Sequence, residues 1–462
     1  MKKTASLLLL LASMAFMAMV SVGCDKSDGD PDENSQQQID PSDLQPYKLS
    51  VQANDDWVWE GKPQITIHVE NPNPVALTAE AMVRITTDQK KAVTTIEKSA
   101  EVPASGSIDV VLTTDSELDP GFYKASCFVD KKAARIFTFG ISPYKIVSAP
   151  DKQPDFDSFW DATVTQLEAV DMNPQLTEIT KASSAARKAY LVEIASLPDG
   201  PEGEPVLIHG YYLEPQDGKK HPVLMHYEGY DSLNPTGKLW LPTGGSSAEW
   251  AEFYLSTRGQ VINNRTADQR ADGIPVDFHN DYGDWFAFHF GDRDSYYYRG
   301  AFMDCVQAIR FMATRETSDM NNVFAEGKSQ GGAFSYAAAA LSPYPLRAIA
   351  PGVAFLGDFP DYFQIVDWPA NVAKANKGSM TDEEMYAFLS YFDTKNLATR
   401  ISCAVIGNIG LQDVTCPPHT NIAPFNNLTN PDKEMYFYPT MGHDIPSGWD
   451  GKILNFFKAR MQ

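Results

Sequence analysis

The chain has 462 residues, 43% of them hydrophobic and 21% charged, which is typical of a globular protein long enough for more than one domain. Asp and Glu number 60 against 38 Lys and Arg, so the formal charge is −22 and the protein would repel nucleic-acid phosphates. This balance excludes nucleic acid as an expected partner, and five cysteines in so long a chain do not predict a disulfide scaffold.

Residues 1–24 have the pattern of a bacterial lipoprotein signal peptide. Two lysines precede an apolar segment, and small residues lead to Cys24. We expect cleavage before Cys24 and lipid attachment to it, rather than an uncleaved anchor helix. The lipid would tie the protein to the cell envelope, at the outer membrane, facing the periplasm or the surface. The remaining cysteines are expected to be free and buried: Cys127, Cys305, Cys403 and Cys416.

Residues 25–44 are acidic and polar without apolar periodicity, which predicts a disordered tether. From 45 to 144 the pattern changes to short alternating runs, such as QITIHVEN at 64–71, separated by turn residues. Strands at this spacing predict a small β-sandwich domain, immunoglobulin-like in character. The region has no catalytic cluster, so a spacer role and a glycan-binding role both remain open.

From 145 to 462, apolar runs alternate with helical patterns. Strands are predicted at 221–230, 259–264, 321–327, 346–355, 401–410 and 434–439, and helices at 297–315, 331–341 and 447–461. This alternation predicts an α/β domain with a mostly parallel sheet and helices on both faces.

The segment GKSQG, residues 327–331, lies between a predicted strand and a predicted helix. Glycines on both sides of Ser329 allow a sharp strand-to-helix turn that exposes the serine hydroxyl. The alternative is an ordinary glycine-rich turn. A serine nucleophile on such a turn is followed along the chain by an acid and then a histidine, and Asp413 and His443 each follow a later predicted strand. We therefore predict Ser329 as nucleophile, His443 as general base and Asp413 as its partner.

Two other residues compete for these roles. His419 lies in the same predicted loop as Asp413, which places it poorly to reach Ser329, and Asp358 follows an earlier strand, where a cap or loop residue is expected. The backbone N–H groups of Gln330 and Tyr230 are the predicted donors to an oxyanion.

Neither a metal nor a cofactor is expected, because the sequence contains no HExxH or CxxC motif and no His/Asp cluster at ligand spacing. Aromatic residues at 285–298 could border the site, although such a run more often belongs to the core.

The chain from about 145 to its end resembles the acetyl xylan esterase and cephalosporin C deacetylase family of α/β-hydrolases. The similarity is carried by PDFDSFWDA (154–162), YYYRGAFMDCVQAIRF (296–311), GKSQGG (327–332) and, most specifically, residues 389–428. The resemblance implies an α/β-hydrolase fold and hydrolysis of acetyl esters on xylan or xylo-oligosaccharides, or of cephalosporin C-like esters, without a cofactor. Ring-like oligomers are typical of the family, so a homo-oligomer is also an expectation.

The resemblance also implies five site residues: Ser329, Asp413 and His443 as a triad, with Tyr230 and Gln330 as oxyanion donors. Two features depart from the family. Glu228 stands where a histidine is usual, and the segment around Arg265 replaces an Arg-Gly-Gln-Gly motif. Two other functions stay open: hydrolysis of other acyl esters, such as feruloyl esters, and a catalytically degenerate, lipid-anchored glycan-binding protein.

Overall fold

The structure is a computed structural model and describes residues 40–231, 248–260 and 281–462. The predicted signal peptide with Cys24, most of the predicted tether and the segment around Arg265 lie outside the described residues. No helix within the described ranges is both long and apolar enough to cross a membrane. The chain divides into a short unit, residues 1–45, and a large unit, residues 46–462. In the short unit the described residues form one 3₁₀ turn, Pro41–Asp43.

The N-terminal part of the large unit consists of two packed sheets. A three-stranded antiparallel sheet has the order β1 (Lys48–Gln52), β3 (Gln64–Glu70), β6 (Ser107–Thr113). A five-stranded sheet has the order β2 (Val58–Trp59), β8 (Lys132–Ile141), β7 (Gly121–Val129), β4 (Leu77–Thr87), β5 (Ala92–Val102). Alternate residues of β3, Ile65, Ile67 and Val69, are fully buried, because successive side chains of a strand point to opposite faces. The predicted β-sandwich is confirmed.

A nine-stranded sheet forms the centre of the remaining chain. Its strands are β9 (Gln175–Glu178), β10 (Arg187–Ser196), β11 (Val206–Pro215), β12 (His221–Tyr227), β13 (Ala251–Ser256), β14 (Ser318–Lys328), β15 (Ala348–Gly352), β16 (Ala404–Gly410) and β17 (Lys433–Tyr438). The spatial order is β17-β16-β15-β14-β12-β13-β11-β10-β9. Strands β12 to β17 are mutually parallel, and β11 runs antiparallel to both of its neighbours. The mostly parallel sheet that the sequence predicts is confirmed.

Helices cover both faces of this sheet. They are α1 (Phe156–Glu168), α2 (Tyr297–Ala313), α3 (Gln330–Leu341), α4 (Phe359–Ile365), α5 (Ala370–Asn376), α6 (Asp382–Leu389), α7 (Thr394–Ala398), α8 (Pro418–Asn426) and α9 (Trp449–Lys458). Strand β14 shows the two faces directly: Val323 packs into the larger core with α2 and α3, whereas Phe324 packs with Phe457 of α9. A strand buried on both faces is apolar at consecutive positions, which is the pattern that identified it.

One predicted strand lies mostly outside the described residues. Of the strand expected at 259–264, residues 259 and 260 lie in the turn after β13 (Ala251–Ser256), a strand that was not predicted, and 261–264 lie outside the described residues. Strands β9 to β11 and helices α1 and α4 to α8 were not predicted. Helices α4 to α8 are short, and polar residues interrupt the apolar patterns of β10 and β11. The free cysteines agree with expectation, since Cys127, Cys305 and Cys416 are buried and Cys403 is half-buried.

Candidate active site

Ser329 lies in the sharp turn between β14 and α3. Its backbone angles, φ 60° and ψ −117°, are strained for a residue with a side chain. The main chain of its neighbours holds the turn in place: Ser329 N donates to Gly352 O at 2.9 Å, and Ser329 O accepts from Phe355 N at 3.0 Å. The structure therefore has the strand–turn–helix geometry that the GKSQG segment predicts, with Ser329 next to the positive end of the α3 dipole.

Gly331 shows why the turn requires a glycine after the serine. A Cβ atom at this position would lie 2.0 Å from Tyr227 O and 3.2 Å from Glu228 O. The loop that follows β12 thus runs directly against the first turn of α3. This close approach brings the residues after Tyr227 beside Ser329.

Asp413 and His443 meet Ser329 at one edge of the sheet. His443 Nε2 lies 2.9 Å from Ser329 Oγ, and His443 Nδ1 lies 2.7 Å from Asp413 Oδ2. The three residues follow β14, β16 and β17, and parallel strands bring their carboxyl ends to the same edge. The structure therefore brings together the three residues that the sequence placed in the triad.

The Asp413 carboxylate is fixed by its own loop. Its Oδ1 atom accepts hydrogen bonds from Thr415 N at 2.8 Å and Cys416 N at 2.9 Å, which leaves Oδ2 for His443. Because Oδ2 accepts from Nδ1, the other imidazole nitrogen, Nε2, is free to accept the proton of the Ser329 hydroxyl.

The two residues predicted as oxyanion donors both lie near the nucleophile. Gln330 is the first residue of α3, where backbone N–H groups have no partner within the helix. Its side chain is buried and accepts from Tyr298 Oη at 2.9 Å, so the group that position 330 can offer a substrate is its backbone amide. Tyr230 lies in the loop after β12 and lines the pocket in front of Ser329.

This pocket has a volume of about 390 Å³ and opens onto the Ser329–His443 pair. Its apolar wall is formed by Tyr230, Phe355 and Trp368, whose rings contact one another with centroids 5.3 to 6.2 Å apart. The tyrosine is held by a hydrogen bond from its hydroxyl to Asp284. A wall of interlocked rings is stiff, which suits selection of a substrate by shape.

Polar residues also line the pocket. Glu228 and Lys328 are among them, and Lys328 Nζ is paired with Asp444 Oδ1 at 2.9 Å. Glu228 occupies the position at which the sequence departs from the family it resembles. The loop therefore places Glu228 in the lining of the pocket in front of Ser329.

The aromatic segment 285–298 belongs to the core. Trp285 and Tyr297 are 0% and 1% exposed, and their rings stack with centroids 5.2 Å apart. Trp285 also contacts the Tyr230 ring at 5.1 Å, on the side away from solvent. The segment packs behind the pocket wall. Of the two interpretations of it, the one that assigns it to the core is correct.

The two competing residues, Asp358 and His419, pair with each other. His419 Nε2 lies 2.8 Å from Asp358 Oδ2 and 3.3 Å from Asp361 Oδ2. Burial opposes protonation of His419, but the hydrogen bonds and charges of the two carboxylates outweigh it and raise the pKa of His419 to about 10. His419 is therefore a cation at neutral pH, which does not suit a general base.

Asp358, Asp361 and His419 also place their ligand atoms within 4.8 Å of one another, a spacing at which a metal ion can be held. Sequence patterns could not reveal this cluster, because Asp358 and His419 are 61 positions apart. Lys395 Nζ lies 2.9 Å from Asp358 Oδ1, so an ammonium group already compensates the most buried of the carboxylates. The arrangement is explained as an ion-pair cluster.

Comparisons with known proteins identify the family to which most of the chain is similar. A model of the family described as acetyl xylan esterase (AXE1) matches residues 141–460, which begin at the end of the β-sandwich. The chain is 27% identical over 324 residues to the acetyl esterase Axe7A of Xylanibacter ruminicola, covering 70% of this chain and 71% of that protein.

Two solved structures are similar over the same part of the chain. An acetyl xylan esterase from a Paenibacillus species is 28% identical, with a TM-score of 0.57, covering 69% of this chain and 98% of that one. Acetyl xylan esterase 1 from a Thermoanaerobacterium species is 23% identical, with the same TM-score and the same coverage. At this lower identity, the similarity shows a shared fold and nothing more.

Proposed function

The chain belongs to the acetyl xylan esterase family of carboxylic ester hydrolases, and we propose that it removes acetyl groups from acetylated xylan or xylo-oligosaccharides. The observation that carries this proposal is the hydrogen-bonded series Ser329–His443–Asp413 at the mouth of an aromatic pocket. The named activities of the similar proteins support an acetyl group as the acyl part and a sugar as the alcohol part.

In the first half of the reaction, Ser329 Oγ attacks the ester carbonyl carbon while His443 Nε2 accepts the hydroxyl proton. The carbonyl oxygen becomes an oxyanion that the backbone N–H groups of Tyr230 and Gln330 stabilise, each donor contributing about 10²–10³-fold in rate. Asp413 orients the imidazole and stabilises its protonated form. The bond to the sugar oxygen then breaks, and His443 gives its proton to that oxygen, which leaves as the sugar hydroxyl.

Water completes the reaction on the acetyl-enzyme. His443 accepts a proton from water as the water oxygen attacks the acetyl carbonyl, and the same two amides hold the second oxyanion. Collapse of this intermediate releases acetate and returns the proton to Ser329. No step needs a metal or a cofactor.

Acetate release from acetylated xylo-oligosaccharides, by protein lacking residues 1–24, tests the proposal. Ser329→Ala should abolish the release, whereas the matched control Ser342→Ala, at the end of α3, should retain it. If wild type cleaves 4-nitrophenyl acetate but leaves the sugars intact, the esterase remains and the sugar substrate is rejected. If the folded protein cleaves neither 4-nitrophenyl acetate nor the sugars, the esterase function is rejected in favour of the glycan-binding protein.

A series of aryl esters separates acetyl esters from larger acyl groups. The walls formed by Tyr230, Phe355 and Trp368 pack tightly, so kcat/KM should fall steeply from acetyl to butyryl and feruloyl esters. A preference for the feruloyl ester would replace deacetylation with feruloyl ester hydrolysis as the function.

The cellular setting is also a proposal. Cleavage before Cys24 and lipid attachment would place the enzyme at the cell envelope, and the sequence of residues 1–24 supports this. We also propose a homo-oligomer, because ring-like oligomers are typical of the family. Mass spectrometry of the mature protein would detect the lipid, and light scattering would measure the oligomer.

A further inference from the structure

Gln412 precedes Asp413 and connects the β-sandwich to the active site. Its Oε1 atom accepts a hydrogen bond from Thr138 N at 2.9 Å, and its Nε2 atom donates to Thr138 O at 3.0 Å. Nε2 also donates to Pro439 O at 2.7 Å, in the loop that carries His443. One amide side chain thus joins three backbone groups, two in strand β8 of the sandwich and one in the histidine loop.

The contact with β8 has the form of a strand pairing. Thr138 lies opposite Lys124 in the β7–β8 ladder, and its N–H and C=O both turn to Gln412. A primary amide carries a donor and an acceptor side by side, as a peptide group does, so it can replace a neighbouring strand at this point. The β8 edge therefore holds the Gln412 side chain at two points.

The loops of Asp413 and His443 are themselves joined at the backbone. Gln412 N donates to Met441 O at 2.8 Å. At Gly410, the last residue of β16, a Cβ atom would lie 2.2 Å from Gly442 O, so the start of the acid loop touches the histidine loop where only a glycine fits. A displacement of Gln412 would consequently move the acid and the histidine together, relative to Ser329 on the β14–α3 turn.

We propose that Gln412 is a positioning residue, through which the β-sandwich holds Asp413 and His443 in register with Ser329. The proposal rests on the esterase function proposed above. It makes the sandwich part of the catalytic unit, in addition to any role as a spacer or in glycan binding.

The expected effect is on the rate of the chemical steps. A misplacement of about 1 Å at a catalytic group can cost about 10²-fold in rate, so Gln412→Ala should lower kcat by about 10- to 100-fold. Most of the pocket lining, including Tyr230, Phe355 and Trp368, lies on other loops, and Thr415 and His443 are the lining residues of the displaced ones, so KM should stay within about twofold.

Three variants separate hydrogen bonding from packing. Gln412→Glu keeps the side-chain size but turns an oxygen toward the carbonyls of Thr138 and Pro439, so it should lose kcat as Gln412→Ala does. Thr138→Pro removes the sandwich's N–H donor without changing the acid loop. The control is Gln89→Ala: Gln89 follows β4, and its Nε2 donates to Asp361 Oδ1 at 2.7 Å, so it bridges the same two parts of the chain away from the triad.

Steady-state cleavage of 4-nitrophenyl acetate, with active sites titrated by a fluorophosphonate, tests the proposal. Titration corrects for any fraction that fails to fold. The proposal expects kcat per active site to fall in Gln412→Ala, Gln412→Glu and Thr138→Pro and to remain within twofold in Gln89→Ala. Wild-type kcat in Gln412→Glu and Thr138→Pro, or an equal loss in Gln89→Ala, would overturn it. If Ser329→Ala also keeps full activity, it is the esterase function that fails.

Discussion

Replacing Gly331 with alanine would place a methyl group in the path of the loop that carries Tyr230. The new Cβ would lie 2.0 Å from Tyr227 O. A carbon normally stays about 3.3 Å or more from a carbonyl oxygen, so the two backbones must separate by about 1.3 Å. Neither atom belongs to a flexible side chain, and the displacement therefore passes to the oxyanion loop.

The expected loss is large for so small a change. A 1 Å misplacement costs about 10²-fold, so kcat of Gly331→Ala should fall about 100-fold, equivalent to about 2.7 kcal/mol of transition-state stabilisation. Alanine favours the helix by about 1 kcal/mol over glycine, which offsets part of the strain in the folded state. The loss of transition-state stabilisation should thus be much larger than the loss in the free energy of unfolding.

The assay is cleavage of 4-nitrophenyl acetate per titrated active site, beside urea unfolding. The matched control is Gly332→Ala in the same turn, where a Cβ meets Ala354 atoms at 3.0 and 3.1 Å and the neighbours need move only slightly. Its kcat should stay within about tenfold of wild type, since the shift is a fraction of that at Gly331. If Gly331→Ala keeps kcat within threefold of wild type, the close approach does not position the oxyanion loop.

Two further changes test the acid and its competitor. Asp413→Asn removes the carboxylate that orients His443 and stabilises its cation, and kcat should fall by about 10⁴-fold; a loss under tenfold at neutral pH would exclude Asp413 as the acid. For His419, the pKa is raised from 6.5 to about 10 in the folded state by Asp358 and Asp361, against the opposing effect of burial. Its contribution to stability, on the order of a few kcal/mol, is fully present below pH 6.5 and is lost as pH rises through 10. Urea unfolding between pH 7 and 10 should therefore show a steeper loss of stability in wild type than in His419→Gln, and parallel slopes would contradict the ion-pair explanation.

The sequence alone predicted the fold class and the three candidate catalytic residues because the signals for both are local. Ser329 is recognisable from two flanking glycines, a buried strand before it and a helix after it. Asp413 and His443 each follow an apolar run, and a parallel sheet collects the ends of such runs at one edge. The order of these residues along the chain therefore predicted their meeting in space.

Only the tertiary structure decided the contacts between distant segments. Thr138 and Gln412 are 274 positions apart, so no periodicity or spacing could have paired them. Likewise, the pairing of Asp358 with His419 explains why a histidine close to the acid loop is not the base. Periodicity reports which face of an element is buried, whereas such polar contacts depend on where whole elements pack against one another.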